Sequence, residues 1–169
     1  MDNQQGPNHR RAIVALGANL GDPKQQLGVA VAALRERFDR GFSASQIYRT
    51  APVGMSADAG DFANAVVTFE TALAPEDLMA LLQSLEQAGG RPRAHLKNSS
   101  RTLDLDLIAL GNVEMFSAEL TLPHPRATKR RFVLIPLSEV VPGYRFPGET
   151  LSVEALIHRA PVIDMCLWD

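Results

Sequence analysis

The spacing of apolar residues in the first third of the chain predicts a strand, a helix and a second strand. Residues 12–16 are continuously apolar and end at Gly17, a pattern typical of a buried strand. A turn at residues 19–23 then leads into a helix that ends before Gly41. The apolar positions at helical spacing are Leu27, Val31, Leu34 and Phe38. A strand over about 42–49 follows, before an irregular loop over residues 50–60 that contains proline and glycine.

The middle of the chain repeats this alternation. Residues 62–71 predict a strand, and Pro75 then opens a helix with two acidic residues in its first turn, where the helix dipole favours them. The buried stripe predicted for this helix is Leu78, Leu81, Leu82 and Leu85. The pair Gly89-Gly90 stops the helix, and residues 91–100 are polar, basic and without apolar period.

The last third predicts a strand, a hairpin and two helices. A strand runs from Asp104 to about Leu110, and a hairpin returns the chain through residues 120–122. Residues 131–140 carry a helical apolar face of Phe132, Ile135, Leu137 and Val140, and 153–158 predict a final short helix. The order strand, helix, strand, strand, helix, strand is the ferredoxin-like α+β pattern. We therefore expect an antiparallel sheet with helices on one face, long active-site loops, and the other face left for ligands.

Composition limits the class of protein. A chain of 169 residues with 46% hydrophobic content fits one domain, over residues 11–169, after a disordered lead-in over residues 1–10. The formal charge of −2 argues against a general nucleic-acid binder, and the single cysteine, Cys166, excludes an intramolecular disulfide framework. Because no apolar run reaches the roughly 20 residues that span a bilayer, we expect a soluble cytoplasmic protein.

The segment 101–106, Arg-Thr-Leu-Asp-Leu-Asp, contains the most informative chemistry of the chain. Side chains alternate across a strand, so Asp104 and Asp106 point to one side while Leu103, Leu105 and Leu107 point to the core. Two carboxylates roughly 6–7 Å apart repel each other unless a cation lies between them, and hard oxygen ligands suit Mg²⁺. The alternative is a pair of acids that only solvates an exposed strand face.

Basic residues on both sides of this strand favour the metal interpretation. Arg91, Arg93, His95, Lys97 and Arg101 precede it, and His124, Arg126, Lys129, Arg130 and Arg131 follow it. Carboxylates for a metal and cations for phosphates are the two halves of a nucleotide site.

Six short motifs resemble one known family in both order and spacing. They are ALGANLGD at 15–22, YRTAP at 48–52, FANA at 62–65, GRPR at 90–93, RTLDLD at 101–106 and LPHPR at 122–126. Together they resemble 6-hydroxymethyl-7,8-dihydropterin pyrophosphokinase of folate synthesis over about residues 11–160. The resemblance implies a ferredoxin-like fold, ATP and the pterin as small-molecule substrates, two Mg²⁺ ions, and transfer of a pyrophosphoryl group with release of AMP. It implies no nucleic-acid or membrane partner, and we expect a monomer.

The resemblance also implies roles for individual residues at the phosphate end. Asp104 and Asp106 match the metal ligands, and Arg93 and Arg101 match the catalytic arginines that grip phosphate, with Arg91 ranked lower. The other positions that match nucleotide contacts are Gln83, Glu86, Leu107, Thr121, His124 and Arg130.

For the pterin, the resemblance implies two aromatic rings that flank the heterocycle and an amide that reads its edge. Phe62 and Phe132 match the rings and Asn64 matches the amide, while core packing is the alternative for both phenylalanines. Thr50 and Val53 match further contacts, and Asn19 matches a position that organises the loops around the ring.

Two positions depart from the family pattern. Phe62 stands where relatives often carry a tyrosine, so the stacking face is kept and a hydroxyl is lost. The run Asn98-Ser99-Ser100 has no large aromatic residue of the kind that folds over the site in some relatives.

Three other functions compete with this interpretation. They are a non-catalytic nucleotide-binding module, a metal-dependent phosphohydrolase that uses water as the nucleophile, and an RNA-binding domain of the same fold.

Overall fold

The computed structural model describes residues 8–52, 60–89 and 103–169. Several predictions concern residues outside these ranges. They are the predictions for Val53, Arg91, Arg93 and Arg101 and for the lead-in before residue 8.

The described chain contains a central antiparallel sheet, a small hairpin and four α-helices. The strands are β1 (Arg10–Ala18), β2 (Ser43–Ala44), β3 (Tyr48–Thr50), β4 (Phe62–Thr71), β5 (Asp104–Leu110), β6 (Met115–Phe116), β7 (Thr121–Leu122) and β8 (Met165–Leu167). The helices are α1 (Pro23–Arg37), α2 (Pro75–Ala88), α3 (Arg131–Val140) and α4 (Val153–Arg159), with a 3₁₀ turn at Ala127–Lys129. None of these helices is both long and apolar enough to cross a membrane.

The sheet order is β5-β1-β4-β3-β8, with β2 also paired to β4, and β6 and β7 form a separate hairpin. β1 and β4, the two longest strands, lie next to each other at the centre. The predicted strand over 42–49 is in fact two short strands, β2 and β3. β8 was not predicted, because a three-residue strand has no readable period and exists only through its pairing with β3.

Both faces of the sheet carry helices, which corrects the expectation of helices on one face only. On the first face, alternate residues of β1 and β4 pack with Leu27 and Leu34 of α1 and with Leu78 and Leu82 of α2. On the second face, Ile13 and Val66 pack with α3 and α4. The uninterrupted apolar run of β1 over residues 12–16 agrees with this result, since a strand buried on both faces has that composition.

The apolar face predicted for helix α3 is confirmed in part, because Leu137 is buried and Phe132 and Val140 pack on the second-face core. Val133, Leu134 and Leu137 are buried against the sheet, while Phe132 and Ile135 are only half-buried. Phe132 is therefore available to the space beside the sheet, near the start of the helix.

Candidate functional site

A cleft of about 770 Å³ opens on the second face of the sheet, beside the first turn of α3. It brings together twelve of the predicted site residues, which come from all parts of the chain. They are Thr50, Phe62, Asn64, Gln83, Glu86, Asp104, Asp106, Leu107, Thr121, His124, Arg130 and Phe132. Asn19 is buried and does not line the cleft, and a Cβ placed on Gly60 would lie 3.8 Å from its carbonyl oxygen.

The floor of the cleft is a row of residues across three neighbouring strands. Gly17 of β1 pairs with Asp104 of β5 on one side and with Asn64 of β4 on the other. Directly paired residues of an antiparallel sheet point to the same face. The carboxylate and the amide therefore face the same cleft, separated by two strand spacings or about 10 Å.

Gly17 leaves the space between them open. A Cβ at this position would lie 3.5 Å from Oδ1 of Asn64, in ordinary van der Waals contact, so the backbone would tolerate it. Any larger side chain would fill the middle of the cleft floor. In the next row Asp106 pairs with Ala15, another small residue.

The alternation predicted for β5 is confirmed at its start, over residues 103–107. Leu103, Leu105 and Leu107 are buried in the first-face core, while Asp104 and Asp106 are half-buried and line the cleft. The alternation breaks farther along, because Val14 pairs with Leu107 and Ile13 with Ala109, so Ile108 is an extra residue on β5. The bulge lies beyond both acids and leaves them on one side.

The donor set suits a magnesium ion that is shared with a phosphorylated substrate. Within the residues that the structure describes, no group of three or more histidine, cysteine, aspartate or glutamate side chains could hold a metal. Asp104 and Asp106 thus supply only two carboxylates. Mg²⁺ is typically bound by one or two carboxylates, with substrate phosphates and water completing the shell. The pair fits such an ion and does not fit a site made wholly of protein ligands.

The segment 123–131 forms a basic wall of the cleft, next to the strand that carries the two acids. His124, Arg126, Lys129, Arg130 and Arg131 all line the cleft. The segment is fixed to β5 because the backbone N–H of His124 donates to the carbonyl of Ile108 at 2.8 Å. Ala127, fully buried, anchors the 3₁₀ turn in the second-face core.

His124 is held as a neutral donor. Its Nδ1 accepts the backbone N–H of Arg126 at 3.2 Å, so the neutral ring carries its proton on Nε2. Burial is the main cause that lowers the pKa of His124, and Arg130 and Arg126 lower it further, while Asp104 acts in the opposite direction. A neutral imidazole that carries its proton on Nε2 can donate a hydrogen bond to a phosphate oxygen.

The other end of the cleft combines a buried amide with two aromatic rings. Nδ2 of Asn64 donates to Oγ1 of Thr50 at 2.7 Å, and both side chains are buried. That bond orients the amide. Phe62 and Phe132 line the same end, and the guanidinium carbon of Arg130 lies 5.4 Å from the ring centre of Phe132. Arg130 therefore connects the basic wall with the aromatic end of the cleft.

Several features of the cleft lining were not predicted. Glu86 was predicted as a site residue, but its burial was not: the side chain is only 6% exposed on α2, whereas its helical spacing from Gln83 is equally typical of two exposed side chains. Met79 of the same helix lines the cleft, as do Ser117, Glu119 and Leu120 of the β6–β7 hairpin. Pro161 and Ile163, close to the C-terminus, line it too, and no motif pointed to them.

Comparison with known proteins gives one consistent family. A model of the 7,8-dihydro-6-hydroxymethylpterin-pyrophosphokinase (HPPK) family matches residues 13–142. A curated protein of Pseudomonas aeruginosa, 2-amino-4-hydroxy-6-hydroxymethyldihydropteridine pyrophosphokinase, is 38% identical over 82% of this chain and 85% of its own length. The protein of the same name from Haemophilus influenzae is 35% identical over 85% of this chain and 89% of its own.

Solved structures show the same fold. The crystal structure of Plasmodium falciparum HPPK-DHPS wild type with pteroate matches with a TM-score of 0.68 and 12% sequence identity. The match covers 92% of this chain and 43% of that one, so this chain spans less than half of that solved protein.

Proposed function

Because the chain belongs to the 7,8-dihydro-6-hydroxymethylpterin-pyrophosphokinase family, we propose that it transfers the pyrophosphoryl group of ATP to the hydroxymethyl oxygen of 6-hydroxymethyl-7,8-dihydropterin. In this reaction a bond forms between that oxygen and the β-phosphorus. The bond from the β-phosphorus to the oxygen that bridges it to the α-phosphorus breaks, and AMP leaves with the bridging oxygen.

The observation that carries the proposal is the row Asp104, Gly17 and Asn64 on the cleft floor. A pyrophosphokinase must hold a triphosphate and an alcohol-bearing ring in one site, with the reacting atoms close together. The row provides a carboxylate at one end, an oriented amide at the other and a residue without a side chain between them. The two substrates can therefore meet over Gly17.

Asp104 and Asp106 are the residues that would hold Mg²⁺, and two ions are proposed. When bound, the metal supplies positive charge that offsets the negative charge of the triphosphate. These carboxylates are the reason for proposing that the phosphate chain lies at the β5 side of the cleft.

The basic wall is proposed to position the phosphates beside the two carboxylates. Arg130 and Lys129 supply positive charge, and Nε2–H of His124 supplies a hydrogen bond. The first turn of α3 adds its backbone dipole, which favours a negative group. Arg93 and Arg101 are proposed as further phosphate ligands on the family motif alone. Gln83, Glu86, Leu107 and Thr121 are proposed for the nucleoside.

At the other end, Asn64 and the two phenylalanines are proposed to bind the pterin. The bond from Nδ2 of Asn64 to Thr50 leaves Oδ1 of the amide as an acceptor on the cleft side, near Gly17. Phe62 and Phe132 provide apolar surfaces for the ring faces. Val53 and Asn19 remain proposed contributors to the loops around this end. We also propose that a monomer is the active form.

Exchange of each metal-binding carboxylate tests this proposal. Asp104→Asn and Asp106→Asn keep the size of the side chain and remove its charge. We expect each to lower the rate of AMP formation from ATP, Mg²⁺ and the pterin by about a hundredfold or more. The matched control is Asp39→Asn, at an exposed position after α1 on the opposite side of the sheet. Wild-type rates in either site variant would remove the metal assignment.

A further inference from the structure

The C-terminal strap, defined as residues 160–167, crosses the aromatic end of the cleft. It follows α4 and ends in β8, and two of its residues, Pro161 and Ile163, line the cleft together with Thr50, Ala51 and Phe62. The family model matches residues 13–142, so the strap lies beyond the matched range. None of the family motifs in this chain includes it.

The strap is fixed at both ends. At its start, Nε of Arg131 donates to the carbonyl of Ala160 at 3.2 Å. At its end, the N–H of Ala51 donates to the carbonyl of Asp164 at 3.2 Å, and Met165 pairs with Thr50. Arg131 belongs to the basic wall of the cleft, and this bond commits its Nε to the strap.

Between these anchors the side chains differ in exposure. Ile163 is half-buried and lines the cleft, whereas its neighbour Val162 is 80% exposed. Ile163 precedes Asp164, whose carbonyl is bound to the residue after Thr50, so it lies at the end of the cleft where Thr50 orients Asn64. An apolar side chain at this place provides a wall for a flat ring.

We propose that Ile163 is a further substrate-binding residue and forms the apolar wall of the pterin pocket on the strap side. This inference rests on the proposed function, since it assigns the pterin to the aromatic end of the cleft. It adds a specificity-determining contact from a segment outside the family motifs. Arg131 and Ala51 act on it only as positioning residues, because they hold the strap and not the ring.

Steady-state kinetics of the full chain give the first test. We expect Ile163→Ala to raise KM for the pterin about tenfold, as for a shortened side chain in an apolar pocket. KM for ATP should stay unchanged. The matched control Val162→Ala removes methyl groups from the neighbouring exposed position and should leave both constants unchanged. An unaltered pterin KM in Ile163→Ala, or an equal rise in both variants, would overturn the proposal.

Methyl NMR distinguishes direct contact between Ile163 and the pterin from a purely structural role of this side chain. The protein is labelled on its isoleucine and valine methyl groups and saturated with Mg²⁺ and a non-hydrolysable ATP analogue. Addition of the pterin should shift the Ile163 δ1 methyl signal through the ring current and give cross-peaks to pterin protons. The Val162 methyl signals should stay in place. An Ile163 signal that does not respond to bound pterin would contradict the contact.

The two tests separate this inference from the proposed function. If the wild-type protein forms no AMP from ATP and the pterin, the proposed function fails. The NMR experiment needs binding and no turnover, so it decides the Ile163 contact in that case as well. If AMP forms at the normal rate and Ile163 gives neither a KM effect nor a shift, only the inference fails.

Discussion

One buried hydrogen bond fixes the orientation of the Asn64 side chain in the cleft. It is 6% exposed on β4, and its amide nitrogen donates to the Thr50 hydroxyl on β3. A buried amide without a partner costs free energy, so this bond stabilises the strand pair as well as orienting the amide. The sequence predicted both residues through the family motifs. It could not predict their bond, because the two residues are 14 positions apart and meet only through strand pairing.

His124 gives the protein a pH dependence that can be isolated. Burial lowers the pKa of His124 below the ordinary value of 6.5, so the unfolded chain takes up this proton more readily than the folded chain. The free energy of unfolding should therefore fall as pH drops below 6.5. His124→Asn keeps an acceptor for the N–H of Arg126 and removes the titrating group. We expect a smaller loss of stability in this variant, measured by urea unfolding at about pH 7.5 and about pH 5.5.

Other titrating groups do not obscure the comparison. The remaining histidines and the carboxylates are the same in both proteins, so their effects cancel in the difference. Measurements in the presence of a chelator keep metal binding out of the result. An equal fall of stability in wild type and His124→Asn would contradict the assigned cause.

At the scale of elements, apolar period predicted most helices and strands but not how they pack. The strand over 62–71 and the helix over 131–140 coincide with β4 and α3, because each has a long, unambiguous pattern. The second helical layer was missed because the order of elements favours a simple ferredoxin-like arrangement with one covered face. The buried face of α3 was predicted only in part: Leu137 is buried as expected, but Leu134 and Pro136 are buried too and Ile135 is not fully so.

The tie between β3 and α3 belongs to this scale and can be measured. Oη of Tyr48 donates to the carboxylate of Glu139 near the end of α3, and the N–H of Gln46 donates to the same group at 3.0 Å. Burial and the Glu139 bond raise the pKa of Tyr48 to about 12. We expect Tyr48→Phe to lower the free energy of unfolding by about 1 kcal/mol, as for one lost hydrogen bond.

A double-mutant cycle distinguishes this bond from loss of the hydroxyl alone. Tyr48→Phe and Glu139→Ala are measured singly and together by denaturant unfolding. The double variant should lose less free energy of unfolding than the two single losses added together, because both substitutions remove the same interaction. Strict additivity would show that the two side chains do not stabilise each other.

At the scale of the whole molecule, the cleft joins residues that are far apart in the chain. Its floor comes from β1, β4 and β5, its basic wall from the segment before α3, and its aromatic end is closed by the strap. Motifs could identify the first two parts because the chemistry is local in sequence there. The strap has no local signature: Pro161 and Ile163 gain their position from anchors on α3 and β3.

The fate of the β-phosphorus tests the central claim most directly. ATP labelled with ³²P at the β-position is incubated with the protein, Mg²⁺ and 6-hydroxymethyl-7,8-dihydropterin, and the products are separated. Pyrophosphoryl transfer predicts that the label enters the pterin product while unlabelled AMP forms in equal amount. Label in ADP would indicate transfer or hydrolysis of the γ-phosphate alone, and label in free pyrophosphate would indicate a hydrolase. Either result would contradict the account.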